Sequence, residues 1–112
     1  MYSSIEEQRK VDTEVLEDFI RNYEDYKQYV ATAPTEEKQT PQYQHRLLIV
    51  EAVDKLYPTL NEDMKQIFDM RYRQDIKDFA DIADEIYMKV SRVKRMRDSI
   101  IKQFGVAIGW YS

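Results

Sequence analysis

The chain has 112 residues, enough for one small domain and too few for a large multidomain enzyme. Its 2 Gly and 3 Pro argue against sandwiches and barrels, which need many tight turns. The absence of cysteine and the single histidine, His45, exclude disulfide frameworks, thiol nucleophiles and His-rich metal sites. A formal net charge of −4 speaks against a nucleic-acid partner unless the charge is unevenly distributed.

Neither a leader nor a membrane span is evident. The N-terminal residues MYSSIEEQRK lack an apolar run behind a basic start, so they do not resemble a signal peptide. The longest apolar run is LLIV at 47–50, far below the roughly 20 residues that cross a bilayer. The sequence therefore predicts a cytoplasmic protein with no membrane partner.

A long first helix is predicted over residues 4–30. Ser4 and Glu7 have capping-box spacing, in which each side chain satisfies a backbone N–H at the start of the helix. Apolar residues then recur every three and four positions, which is the helical period. They are Val15, Leu16, Phe19, Ile20, Tyr23, Tyr26 and Val30. We assign residues 1–33 to an N-terminal helix that is a candidate for dimerisation.

Four shorter helices follow a loop or hinge at residues 34–42, which contains Pro34 and Pro41. The second helix is predicted over 43–57 and is stopped by Pro58. Asn61 caps a third that runs to about Arg73, and Asp78 caps a fourth over 79–86. A tight break at 87–89 leads into the fifth, over 90–104, with Gly105 as its left-handed cap. Residues 106–112 form an apolar tail, expected either to lie over the core or to contact another subunit.

Positive charge is concentrated in the last helix. Residues 86–104 hold 6 Lys and Arg against 1 Asp, whereas residues 1–60 hold 7 against 12 and residues 61–85 hold 4 against 8. The short fourth helix, the brief connection and the basic amphipathic fifth helix have the proportions of a helix-turn-helix. Such a unit buries one side of its second helix and presents the other to the major groove of DNA. We therefore predict an all-α fold whose residues 43–105 form a DNA-binding unit, with the helix-turn-helix at about 78–104.

The sequence from Asn61 to Phe104 resembles region 4 of the sigma-70 family in the form found in phage-encoded regulators. The resemblance is carried by Leu60-Asn61, Ile67, Arg71-Tyr72, Phe79-Ala80-Asp81-Ile82-Ala83, Ile86 and Val93. The wider chain resembles small phage late-gene activators of the RinA/ArpU type. That likeness is carried by Leu16-Glu17-Asp18, Tyr23, Tyr26, the helix end at 53–56 and Ile100-Ile101.

The resemblance implies a sequence-specific DNA-binding transcriptional regulator of a phage or prophage, acting in a bacterial host cell on double-stranded DNA. It places Ser91, Arg92 and Arg95 at base-contacting positions. The implied phosphate contacts are Lys89, Lys94 and Arg97, with Arg71, Arg73 and Lys77 as secondary candidates. RNA polymerase is the expected protein partner. A homodimer is expected because one short unit seldom reaches useful specificity without a second half-site.

The sequence departs from the region 4 pattern at two places. Tyr87 and Lys89 stand where that pattern has Gly in the turn and Ser at the helix cap. A tyrosine is costly in a left-handed turn conformation, so we expect a longer or differently shaped turn. Ser91 offers a later cap for the last helix.

Other interpretations stay open. The basic helix could be a solvated face that balances the acidic helices around it. The protein could be a small helical adaptor that binds RNA polymerase or a packaging partner without binding DNA, or it could resemble a small terminase subunit. Asp81 and Glu85 lie four residues apart, but a solvated helical face is a better interpretation than a metal site. We predict no enzyme, no cofactor and no metal site.

Overall fold

The computed structural model describes residues 4–111, and these residues form helices and turns without a β-strand, which confirms the predicted all-α fold. The first three residues of the predicted N-terminal unit and the last residue of the predicted tail lie outside this range. Six α-helices are present in the described part of the chain. They are α1 (Ile5–Arg21), α2 (Tyr23–Thr32), α3 (Pro41–Leu56), α4 (Glu62–Phe68), α5 (Phe79–Glu85) and α6 (Val90–Ala107).

The predicted long N-terminal helix is divided into α1 and α2 at Asn22. The start is as predicted, because the Ser4 hydroxyl accepts a hydrogen bond from the backbone N–H of Glu7 at 3.1 Å. At Asn22 the backbone leaves the helical region, with φ −87° and ψ 7°, and the side-chain amide donates to the Asp18 carbonyl at 2.8 Å. Asparagine often bonds to nearby backbone groups in this way, at the expense of a continuous helix. The prediction of one helix over 4–30 is therefore wrong in its middle.

The loop between the first two predicted helices is shorter and more ordered than expected. Residues Thr35–Gln39 form a 3₁₀ turn, and α3 begins at Pro41. The Thr40 hydroxyl caps α3 by accepting from the N–H of Tyr43 at 3.1 Å. Proline is favoured at the first position of a helix because its missing N–H has no partner there anyway. Helix α3 ends at Leu56, and Pro58 lies in a second 3₁₀ turn, Tyr57–Thr59.

The last three helices begin where the sequence predicts. Asn61 accepts from the N–H of Met64 at 2.8 Å at the start of α4, and Asp78 accepts from the N–H of Ala80 at 2.9 Å at the start of α5. Helix α4 continues as a π-helical segment, Asp69–Arg73, up to the predicted end of the third helix.

The predicted end of the last helix is wrong. Gly105 lies inside α6 and is buried, and the left-handed glycine is Gly109, with φ +78°. The tail turns back at this point, because the Gly105 carbonyl accepts from the N–H groups of Trp110 at 2.8 Å and Tyr111 at 3.2 Å. A Cβ atom on Gly105 would lie 2.5 Å from Tyr111 Cδ2, so the absence of a side chain lets the tyrosine ring lie on the helix. Of the two roles expected for the apolar tail, packing over the core is the one seen for Tyr111 and Ile108.

One hydrophobic core unites the N-terminal and C-terminal halves. Leu16 and Ile20 of α1 are buried in the same cluster as Val93, Ile100 and Phe104 of α6. The remaining elements contribute Ile49, Val53, Ile67, Phe68 and Ile82, among others. The predicted division at residues 34–42 is therefore not a division between two cores. No helix among residues 4–111 combines the length and the apolar character needed to cross a bilayer.

Candidate nucleic-acid interface

Helices α5 and α6 are joined by a short turn and pack against each other. Ile82 and Ala83 on the inner side of α5 are 0% and 3% exposed, and Val93 of α6 is 0% exposed. Because Ala83 is small, it allows the two helices to approach closely. The N–H of Met88 donates to the Ala83 carbonyl at 3.0 Å, the long bond of a Schellman helix end. This bond brings the chain from α5 into α6 within a few residues.

Tyr87 occupies the left-handed position of this turn. Its φ is 55° and its side chain is 96% exposed. The expectation of a longer or differently shaped turn is therefore wrong, since the tyrosine adopts the conformation that glycine ordinarily supplies. The side chain has room to do so because it projects into solvent.

Helix α6 begins at Val90, so its first turn is fixed. Lys89 is the N-cap residue, with φ −73° and ψ 143°, and it makes no side-chain capping bond. Its carbonyl accepts from the N–H groups of Arg92 at 3.0 Å and Val93 at 3.1 Å. Ser91 is inside the first turn, so the alternative in which it caps a later start is wrong.

The solvent side of α6 carries five exposed cationic side chains. They are Lys89, Arg92, Lys94, Arg95 and Lys102, and Ser91 is exposed beside them. Asp98 is the acidic residue of this helix, and it bonds to Arg97 at 2.8 Å. All three predicted base-contacting residues are therefore accessible, together with the predicted phosphate contacts Lys89 and Lys94. Arg92 is also 3.7 Å from Asp63 of α4, measured from Nη2 to Oδ2.

Two predicted phosphate contacts, Arg71 and Arg97, are wrong because both side chains point inward. Arg71 is 7% exposed, and its guanidinium donates two hydrogen bonds to the carboxylate of Glu17. One comes from Nε and the other from Nη2, the latter at 3.0 Å. Arg97 is 16% exposed in its side chain and donates from Nη1 to Glu17 Oε1 at 3.2 Å. Neither guanidinium can reach a phosphate without giving up a largely buried carboxylate.

Glu17 is the centre of this network and is 3% exposed. Besides the two arginines, the hydroxyl of Tyr72 donates to its Oε2 at 2.8 Å. Burial alone would raise the pKa of Glu17, but the hydrogen bonds from Arg71 and Tyr72 and the charges of both arginines hold the pKa below its ordinary value. The pKa of Tyr72 is raised, first by burial and then by the adjacent carboxylate. Glu17 is therefore ionised at neutral pH and joins α1 to the π-helical segment and to α6.

The two other secondary candidates differ from each other. Arg73 is 44% exposed in its side chain, but Nη1 lies 2.9 Å from Asp69 Oδ1 and the guanidinium lies 4.6 Å from the centre of the Tyr57 ring. Lys77 is exposed, and its backbone carbonyl accepts from Arg71 Nη1 at 3.1 Å. Lys77 therefore remains accessible to a phosphate, whereas the guanidinium of Arg73 is already paired with Asp69.

The outer side of α5 is acidic. Asp81, Asp84 and Glu85 line a shallow groove of about 480 Å³ together with Ile76 and Tyr87. In the described residues no set of three His, Asp or Glu side chains is arranged to hold a metal ion. The groove therefore adds negative charge beside the helix-turn-helix, opposite in sign to the exposed side of α6.

Sequence reasoning missed Glu17 as a structural residue. A signal was present, because Glu17 lies next to Leu16 and three residues before Ile20, on the edge of the apolar stripe of α1. A charged residue at such a position needs a buried partner of opposite charge. Its partners are 54 and 80 residues away, so the pairing could not be read from local spacing.

Comparison of this chain with protein-family models, with curated proteins and with solved structures finds no match. The resemblance to region 4 and to phage late-gene activators therefore stays a prediction.

Proposed function

We propose that this protein is a sequence-specific regulator of transcription that binds double-stranded DNA and reads the major groove with α6. The observation that carries the proposal is the division of α6 into two sides. Val93, Ile100 and Phe104 are fully buried, whereas Arg92 and Arg95 are exposed on the same helix. A reading helix needs this arrangement, because it must be anchored on one side and accessible to base edges on the other.

In this proposal the exposed residues at the start of α6 have different partners. Ser91, Arg92 and Arg95 lie in its first two turns and contact bases, while Lys89 and Lys94 neutralise phosphates and Lys77 adds a contact from the preceding loop. With these three phosphate contacts per subunit, the logarithm of the affinity falls with the logarithm of the salt concentration at a slope of about −3 for one subunit and about −5 for a dimer.

The proposed biological role follows the resemblance. The protein acts as a late-gene activator of phage or prophage type in the cytoplasm of a bacterial host. It binds as a homodimer, because two half-sites supply the specificity that one short unit lacks. The acidic remainder of the molecule contacts RNA polymerase.

A double variant of the exposed arginines tests DNA binding. Arg92→Ala/Arg95→Ala removes two charges from the proposed interface and should lower affinity for a duplex selected from a random pool by about 30-fold or more, since each good base contact contributes about 1–3 kcal/mol. Arg9→Ala/Lys10→Ala is the matched control, because it removes two exposed cations from α1 and has the same net charge as the variant of α6.

Gel-shift titrations at several salt concentrations give the affinities, and circular dichroism checks the fold. Equal losses in the two double variants would contradict a role for α6 in particular. If the wild-type protein does not bind duplex DNA at low salt, the proposal is wrong.

A second candidate function is a protein–protein adaptor without DNA binding. The acidic groove of α5 favours it, since Asp81, Asp84 and Glu85 would repel phosphates near the turn. An adaptor would bind purified RNA polymerase directly and ignore both DNA and heparin. A small terminase subunit would instead form ring-sized oligomers, which light scattering distinguishes from a dimer.

A further inference from the structure

Arg92 forms an ion pair with a carboxylate from another helix. Its Nη2 lies 3.7 Å from Asp63 Oδ2, and the two side chains are 53% and 45% exposed. Asp63 is in the first turn of α4, which Asn61 caps, and Arg92 is in the first turn of α6. The backbones of both residues are fixed, because the helices pack through the fully buried Ile67 and Val93.

The neighbouring cations of α6 are not held in this way. Within residues 4–111 no carboxylate forms an ion pair with Lys94 or Arg95, and Lys94 instead lies over the Phe79 ring at 5.7 Å. Arg92 is thus the exposed cation of α6 that lies beside a carboxylate of a second helix. Nη2 carries two N–H groups, so a contact to one of them leaves the other to form a parallel pair of donors with Nη1.

The carboxylate also selects the kind of acceptor that Arg92 can approach. A phosphate brought to Arg92 would meet the negative charge of Asp63, whereas the edge of a base is uncharged. Guanine is the base that offers two acceptors, O6 and N7, to a planar guanidinium in the major groove. An oriented guanidinium loses less rotamer freedom when it forms this pair.

We propose that Asp63 is a positioning residue that directs Arg92 to a guanine in the DNA site. This inference depends on the proposed DNA-binding function. It adds the residue that positions Arg92 and the base that Arg92 prefers at one position of the DNA site. Asp63 itself contacts neither base nor phosphate.

The test is selection of duplexes by the full-length protein from a pool with a random 20-base-pair centre, followed by affinity measurements on the selected sequence and its single-base variants. The wild type should select a site with at least one strongly preferred guanine. Asp63→Asn should lower that preference by about fivefold to tenfold, a part of what a bidentate pair supplies, and leave the other positions unchanged. Arg92→Lys should lose the same preference, and adding Asp63→Asn to it should have no further effect on that preference.

Asp98→Asn is the matched control, because Asp98 is an exposed carboxylate of α6 that pairs with Arg97 rather than Arg92. Both single variants remove one negative charge and should raise affinity for unrelated DNA to a similar extent. The inference is overturned if Asp63→Asn behaves as Asp98→Asn does, with a uniform gain and an unchanged guanine preference. If the wild type selects no site at all, both the proposed function and this inference are wrong.

Discussion

Neutralising Glu17 should destabilise the fold more than any change at an exposed acidic residue. Glu17→Gln keeps the volume of the side chain, so it creates no cavity, but it leaves the guanidinium groups of Arg71 and Arg97 without their shared carboxylate. Removing one partner of a buried ion pair typically costs about 3–5 kcal/mol. The free energy of unfolding of a domain this size is about 5–15 kcal/mol, so the loss is a large part of the total.

Urea unfolding followed by circular dichroism measures this loss. Asp98→Asn is the control, because that carboxylate also bonds to Arg97 but is 64% exposed, and exposed pairs contribute about 0–1 kcal/mol. A loss below about 1 kcal/mol in Glu17→Gln, equal to that of the control, would refute the view that Glu17 holds the helices together.

The lowered pKa of Glu17 adds a dependence on pH to the same prediction. The folded state holds the carboxyl pKa below the ordinary value of 4.5. The stability that this group contributes is therefore complete above that value and is lost as the pH falls through the folded pKa. Unfolding curves of the wild type should shift to lower urea below about pH 4.5, and Glu17→Gln should remove this part of the shift.

Two further predictions concern turns. Tyr87→Gly should raise the free energy of unfolding by about 0.5–1 kcal/mol, because relief of the left-handed strain exceeds the added flexibility of the unfolded chain. Asp75→Gly is the matching variant, because Asp75 also has a left-handed φ of 56°. Its gain in the free energy of unfolding should be smaller, since this substitution also removes the ion pair between Asp75 and Arg21. Thermal unfolding compares the two, and a loss of stability in Tyr87→Gly would contradict the assigned turn geometry. Gly105→Ala should displace the ring that lies on it and shift the fluorescence of the nearby Trp110, whereas unchanged fluorescence and stability would argue against that packing.

The helix starts could be predicted from sequence because the signals that define them are local. Ser4, Asn61 and Asp78 each cap a helix through a bond to a backbone N–H two or three residues ahead. The break at Asn22 was missed for a related reason. The apolar stripe continues through it from Ile20 to Tyr23, and a periodic pattern does not reveal a side chain that competes for the backbone.

The helical spacing places Arg71 and Arg97 among the apolar positions of their helices, but it does not show whether a long cationic side chain there turns inward. Arg97 lies one position after Met96 and three before Ile100, at the edge of the apolar side of α6, where a long side chain can turn to either side. Its direction is decided by a carboxylate on α1, which only the tertiary structure brings within 3.2 Å. Local spacing therefore identified the cationic helix but could not separate its anchoring cation from the exposed ones.

The unit predicted over residues 43–105 is therefore incomplete without α1. A fragment of residues 43–105 would retain Arg71 and Arg97 but lose Glu17, so the two guanidinium groups would lack the carboxylate that they share. It would also lose Leu16, which is 0% exposed against the same core. The basic helix and the helix that holds its inner side are thus parts of one unit, although the acidic first half and the basic last helix look separate in the sequence. Because Arg97 is neutralised within that unit, the positive charge available for the proposed DNA contact is that of the side chains which α6 leaves in solvent.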